Sequence, residues 1–207
     1  MKFYLSSYKM GRDVPTLRRM MRSNRMIAYI PNATDYSADI KRREEGDRQN
    51  LAMLKRAGLR PEVLDLRQYF GRQRELERAI RRFGGVWVRG GNTFVLRQAM
   101  RLSGFDQIFR DKLTQRRDFV YGGYSAGVCV LSKTLRGLEI VDDPSQRPYG
   151  TKSKVIWEGL GAFDYSFVPH YRSNHPESRL IEKTVRNFID NKMLFKALRD
   201  GEVIIIK

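Results

Sequence analysis

The pentapeptide Gly123-Tyr124-Ser125-Ala126-Gly127 sets a lone serine between small residues, where one apolar run ends and another begins. That G-x-S-x-G spacing suits a nucleophile. At a sharp strand-to-helix turn the serine backbone is strained, its hydroxyl projects from the sheet end, and small neighbours allow close backbone packing. The amino terminus of a helix just beyond would favour negative charge developing there. A tight glycine turn could carry the same letters; the predicted strand before it and apolar helix after it favour the nucleophile.

A serine nucleophile needs a base, and the chain has two histidines. His170, in "FVPHYRSNHPES", directly follows a predicted strand, where an α/β sheet carries its ligand-facing loops. His175 precedes Pro176 and reads as a helix cap. A Ser…acid…His order would place the orienting carboxylate between Ser125 and His170, an interval holding Glu139, Asp142, Asp143, Glu158 and Asp164. An oxyanion site would combine the Ala126 amide with one from a second loop. "VWVRGGNTF" supplies such a loop, with Gly90 and Gly91 between a strand and a capped helix. It has neither the G-x-G-x-x-G spacing nor the lysine of a nucleotide-binding loop.

These residues need a scaffold. Short apolar runs alternate with amphipathic stretches, the pattern of a parallel sheet with crossover helices. The predicted strands are Phe3–Leu5, Met26–Ile30, Glu62–Leu66, Gly85–Val88, Phe119–Tyr121, Phe167–Val168 and Val203–Ile206. Predicted helices cover Asp47–Ala57, Leu76–Phe83, a segment from an Asn92 cap to Leu102 with Gly104 as its stop, Phe105–Arg116 and Glu177–Ile189. Arg136–Gly161, rich in Pro, Gly, Asp and Ser, reads as a long surface excursion, the kind of segment that often carries function.

At 207 residues and 41% hydrophobic the chain is expected to form one globular domain, 1–207. No apolar run approaches the roughly 20 residues that span a bilayer. "MKFYLSSYKMG" is too short in apolar residues for a signal peptide, so a cytoplasmic location is expected. A single cysteine excludes an internal disulfide framework and a cysteine metal cluster. The net charge of +17, from 40 Lys and Arg against 23 Asp and Glu, attracts anions. The basic residues are nevertheless spread along helical faces, with no nucleic-acid-binding motif, so nucleic acid is not the expected partner.

Together "GGNTF" (Gly90–Phe94), "GYSAG" (Gly123–Gly127) and "PHY" (Pro169–Tyr171), in that order and spacing, resemble peptidase family S51, which contains aspartyl dipeptidases (peptidase E) and cyanophycinases. "IAYIPNAT" resembles the family's second strand and "ALRDGEVIII" its closing strand, so the likeness covers nearly the whole chain. It implies a doubly wound α/β fold with a mostly parallel sheet and flanking helices, flavodoxin-like and of the class I glutamine amidotransferase-like type. It also implies a serine hydrolase acting on short peptides near the N-terminus, with no metal and no cofactor. Carried over by position, Ser125 is the nucleophile, His170 the base, Glu139 the acid in preference to Asp142, and Gly91 and Ala126 the oxyanion amides.

Arg89 stands where the family usually has a small residue. The substrate-aspartate-binding arginine has no clear counterpart, Arg172 and Arg179 being candidates, so an N-terminal Asp preference is allowed and not required. An esterase or a non-catalytic basic nucleic-acid-associated protein are the rival readings, and a homodimer is left open.

Overall fold

The computed structural model describes residues 1–150 and 154–207. Six strands form one sheet: β1 (Lys2–Ser6), β2 (Met26–Ile30), β3 (Arg60–Val63), β4 (Gly85–Val88), β5 (Val120–Tyr124) and β8 (Val203–Ile206). Their order is β3-β2-β4-β5-β1-β8, parallel throughout except for β8, which runs antiparallel to β1. β6 (Ser166–Val168) and β7 (Phe195–Ala197) pair separately, in parallel. Among the described residues seven α-helices accompany them: α1 (Val14–Met20), α2 (Ile40–Arg56), α3 (Gln73–Ile80), α4 (Thr93–Ser103), α5 (Phe105–Ile108), α6 (Ala126–Cys129) and α7 (Ser178–Asp190). This is the doubly wound α/β architecture expected.

Alternation along the strands separates two cores. Leu5, Ala28, Ile30, Val86, Val88 and Tyr121 face the side packed by α3 to α7. Tyr4, Ile27, Tyr29, Trp87 and Val120 face the side packed by α1 and α2. The period of two along a strand sends successive residues to opposite faces, so strands covered on both sides read as continuous apolar runs. Trp87, Tyr29 and Tyr121 are wholly buried, and truncating such an aromatic typically costs about 3–5 kcal/mol.

Helix ends follow local chemistry. Asn92 caps α4, its Oδ1 accepting from the Phe94 and Val95 amides, and Gly104 closes the helix in the left-handed conformation at φ +76°. A buried ion pair, Arg97 to Asp106 at 3.0 Å, ties α4 to α5.

The elements depart from expectation where the pattern is polar or short. α2 begins at Ile40, not Asp47, because "IKRREEGD" has no apolar stripe and is held by the Asp39 cap. α1 and β7 are additional elements. The predicted Phe105–Arg116 helix is a single α-helical turn that passes into a π turn over Phe109–Leu113. In Arg136–Gly161 one 3-10 turn, Leu138–Ile140, is the sole regular element among the described residues, and 151–153 lie outside them. The stretch is strapped down by the Leu135 amide donating to Trp157 O at 2.7 Å and Arg97 Nε to Glu158 O at 2.8 Å.

Candidate active site

β1, β4 and β5 end side by side, and their carboxyl ends carry the site. Ser125 follows β5 at φ +50°, ψ −121°, a conformation that costs an L-residue energy and that functional turns retain. Its carbonyl accepts from the Val128 and Cys129 amides at 2.8 and 3.0 Å, which fixes the turn into α6. The Gly90-Gly91 loop after β4 packs against this turn. A Cβ on Gly90 would lie 2.9 Å from the Ser125 Cβ. One on Gly91, at φ +150°, would lie 2.4 Å from Ala33 O. Only glycine lets the loop come this close. Among the described residues the amides of Gly91 and Ala126 donate to no backbone acceptor, so both are free for a ligand oxygen.

His170 follows β6, also in the left-handed region at φ +62°. Its ring is almost wholly buried, and its Nδ1 lies 2.7 Å from Asp200 Oδ1. A carboxylate there selects the tautomer with the proton on Nδ1, which leaves Nε2 with its lone pair. Burial, and next the neighbouring His175, push the His170 pKa below its ordinary value of 6.5, against the pull of Asp200. That shift favours the uncharged imidazole at neutral pH, the form able to accept a proton.

The sequence placed the orienting acid at Glu139, with Asp142 next; the structure brings neither to His170. Glu139 turns back to accept from the Gly137 amide. Asp142 Oδ2 accepts from the Thr93 amide at 2.9 Å, and Asp143 Oδ1 from the Ser145 amide at 2.8 Å. The carboxylate on His170 comes from the β7–β8 turn, after the histidine in the chain. Because β8 is antiparallel, the turn that opens it returns to the edge where β1 ends.

A second residue that sequence reasoning missed is Ser7. Its carbonyl accepts from the Ser125 amide at 3.2 Å, while its Oγ accepts from the His170 amide at 2.8 Å and donates to Asp200 Oδ1 at 2.9 Å. One residue just after β1 thus binds the backbones of Ser125 and His170 and the carboxylate held on His170. Tyr8 beside it packs edge-on against Tyr124 and His170, with ring centroids 6.1 and 5.9 Å apart.

His175 stacks face to face on His170 at 3.7 Å and 7°. With Glu177 the two histidines form one group whose donor atoms lie within 4.8 Å of one another. Lone pairs of imidazole nitrogens lie in the ring planes, so stacked rings aim them side by side and not at a common ion. His170 Nδ1 is also already on Asp200. The arrangement suits a stacked base better than a metal centre.

A small cavity of about 20 Å³, room for roughly one water, opens beside Ser125 and Ala126 and is lined in part by Thr93, Asp142 and Glu177. Burial raises the Asp142 pKa to about 7, against the Thr93 amide hydrogen bond and with Glu177 adding repulsion. Burial, then Asp200, raise that of Glu177. Among the described residues no Lys or Arg lies within 4.0 Å of either carboxylate. Arg89, whose place ahead of the two glycines is unusual, turns away to pair with Asp47 and to donate to Arg43 O. Arg172 pairs with Glu182 at 3.4 Å, and Arg179 is exposed on α7.

The sequence model of peptidase family S51 matches residues 9–207. The chain belongs to peptidase family S51. It is 26% identical over 209 residues to "Uncharacterized peptidase Lmo0363" of Listeria monocytogenes, covering 99% of this chain and 93% of the relative. It is 24% identical over 208 residues to "Uncharacterized peptidase Lin0382" of Listeria innocua, covering 99% and 91%. Among solved structures, one named "Putative Peptidase E Protein" from Listeria monocytogenes superposes with a TM-score of 0.75 at 22% identity, over 100% of this chain and 98% of that one. A peptidase from an acI-B1 Actinobacterium superposes with a TM-score of 0.71 at 13% identity, over 100% and 83%. At those identities the structures speak for the fold alone, and the family match speaks for a peptidase. No helix among the described residues is long and apolar enough to cross a membrane.

Proposed function

We propose that this S51 member is a cytoplasmic serine peptidase that hydrolyses short peptides near their N-terminus through Ser125, His170 and Asp200. The observation that carries the reading is the strained Ser125 turn bound through Ser7 to a neutral His170 whose Nδ1 is held by Asp200. Ser125 Oγ attacks the scissile carbonyl carbon as its proton passes to His170 Nε2. The Gly91 and Ala126 amides receive the oxyanion, and the imidazolium returns the proton to the departing amine. Water, deprotonated by His170, then releases the acyl group from Ser125.

The charge beside Ser125 argues against an N-terminal aspartate. Asp142 and Glu177 line the cavity there without a cationic partner, so nothing beside Ser125 would offset the desolvation of a substrate carboxylate. Peptides with a neutral or basic first residue fit better.

The test is mass-spectrometric analysis of a pool of di- to tetrapeptides with varied first residues, using wild type and Ser125→Ala. Products from wild type alone, drawn from neutral and basic first residues, are expected. Absence of Ser125-dependent cleavage across the pool overturns the peptidase reading, and exclusive cleavage after Asp overturns the charge argument.

A further inference from the structure

Opposite the catalytic edge, the amino-terminal ends of the strands frame a cleft of about 720 Å³. Arg18 and Arg19 reach it from the last turn of α1, Arg22 from the turn that follows, Arg25 from just before β2, and Arg56 from the end of α2. Lys2 and Lys207 enter from the start of β1 and the end of β8. Among the described residues no Asp or Glu lines the cleft.

Some arginines elsewhere in the chain are paired with carboxylates. Arg43 faces Asp35, Arg67 faces Asp65, Arg82 faces Glu62 and Arg97 faces Asp106. Among the described residues the five cleft arginines have no carboxylate within 4.0 Å. All five are exposed, so they are available to a ligand. Lys2 does have a partner, Asp118 at 3.2 Å.

Gathering like charges around a hollow is unfavourable without a counter-charge, and a multivalent anion removes that cost. Guanidinium forks match phosphate oxygens two at a time, and several arginines together select a ligand with several phosphates over a single one. The cleft volume lies in the range of small-ligand sites, and its concavity does not suit a flat membrane surface. No aromatic residue lines it, so it offers no platform for stacking bases. A second hollow, of about 500 Å³, shares Val14, Arg56 and Ala57 with it and adds Lys9 and Arg12, extending the positive lining.

We propose that this arginine-lined cleft is a binding site for an oligophosphate group, either free or as the tail of a nucleotide. The proposal is independent of the peptidase reading, because its readout is binding and not hydrolysis.

Isothermal titration calorimetry on the full chain, at about 0.15 M salt to suppress diffuse attraction, tests it with inorganic tripolyphosphate. One site per chain with a dissociation constant of about micromolar order is expected, with pyrophosphate weaker and monophosphate weaker still. ATP binding like tripolyphosphate, and AMP like monophosphate, would identify the phosphate tail as what is read. Tripolyphosphate binding without ATP binding would assign the site to the free anion. Ser125→Ala should bind unchanged.

Arg18→Glu/Arg22→Glu should weaken tripolyphosphate at least about tenfold. Arg74→Glu/Arg78→Glu on α3 makes the same change in net charge away from the cleft and should have little effect. Arg22→Gln alone, checked by circular dichroism, covers the case in which the double reversal does not fold. Absence of tripolyphosphate binding, or equal weakening by the α3 control, overturns the site. Tighter binding of single-stranded oligonucleotides, with a salt dependence that steepens with their length, would instead assign the surface to nucleic acid.

Discussion

Replacing Asp200 by Asn tests the assignment of the acid most directly. The carboxylate accepts from His170 Nδ1 at 2.7 Å and from Ser7 Oγ at 2.9 Å, both on Oδ1. Asparagine keeps the shape and offers a single acceptor oxygen and an amide that donates. With the amide toward Nδ1 the imidazole must carry its proton on Nε2, and Nε2 can then no longer take the proton of Ser125. With the oxygen toward Nδ1, the charge that stabilises the imidazolium in the transition state is still missing. A carboxamide in this role typically lowers kcat by on the order of 10⁴, about 5 kcal/mol of transition-state stabilisation.

The assay is kcat/KM on a peptide chosen from the pool, alongside the rate at which a phosphonate serine probe labels Ser125. The second readout depends on the nucleophile and not on the peptide's fit. Glu139→Gln, whose carboxylate is on the Gly137 amide and not on histidine, should change either rate less than about threefold. Asp200→Asn within tenfold of wild type, with Glu139→Gln or Asp142→Asn severely impaired, would refute the assignment.

Further consequences can be measured on the same preparations. Because burial and then His175 lower the His170 pKa, the acid limb of kcat/KM should fall below pH 6.5; a limb at or above that value would contradict a buried, neutral base. The folded-state pKa of Asp142 is raised to about 7 from an ordinary 3.8. Its stabilising contribution is therefore full below pH 3.8 and lost as pH rises to about 7. Asp142→Asn should be more stable than wild type by on the order of 1–3 kcal/mol at about pH 8 and nearly equal near pH 4, in denaturant titrations. Gly90→Ala puts a methyl 2.9 Å from the Ser125 Cβ and should cost on the order of 10² in kcat through misplacement of the nucleophile. Unchanged kcat there would mean that the loop yields freely.

What the sequence disclosed and what it hid have physical reasons. The Ser125 turn was legible because a strained strand-to-helix turn demands small neighbours, and a predicted strand and an apolar helix flank those letters. β2, β4 and β8 were legible to the residue because apolar runs bounded by polar residues or glycine leave little choice. Asp200 was hidden because the Ser…acid…His order points to the interval before His170, whereas an antiparallel closing strand returns the chain to the edge where β1 ends. The "RDG" before "EVIII" was the available signal, a turn acid opening the last strand. Ser7 was hidden because a single serine after a short strand carries no pattern; its role comes from three hydrogen bonds made across the sheet. β7 is three residues of mostly exposed chain, "FKA", with no periodicity to detect.

Net charge illustrates the same gap at larger scale. A value of +17 read from composition suggests an acidic substrate only if the charge is evenly spread, and it is not. The carboxyl ends of the strands hold Asp142 and Glu177 in the cavity beside Ser125 and Asp200 on His170, with no Lys or Arg within 4.0 Å of any of the three among the described residues. The amino-terminal ends hold five arginines with no carboxylate in the same range among the described residues. The field a substrate meets is set by the nearest, least solvated groups, because exposed charges more than a Debye length away are screened. Beside Ser125 those groups are carboxyls with raised pKa values and no cationic partner, so a basic chain need not offer a cation there. The excess positive charge calls for its own explanation at the opposite edge, where the arginines are.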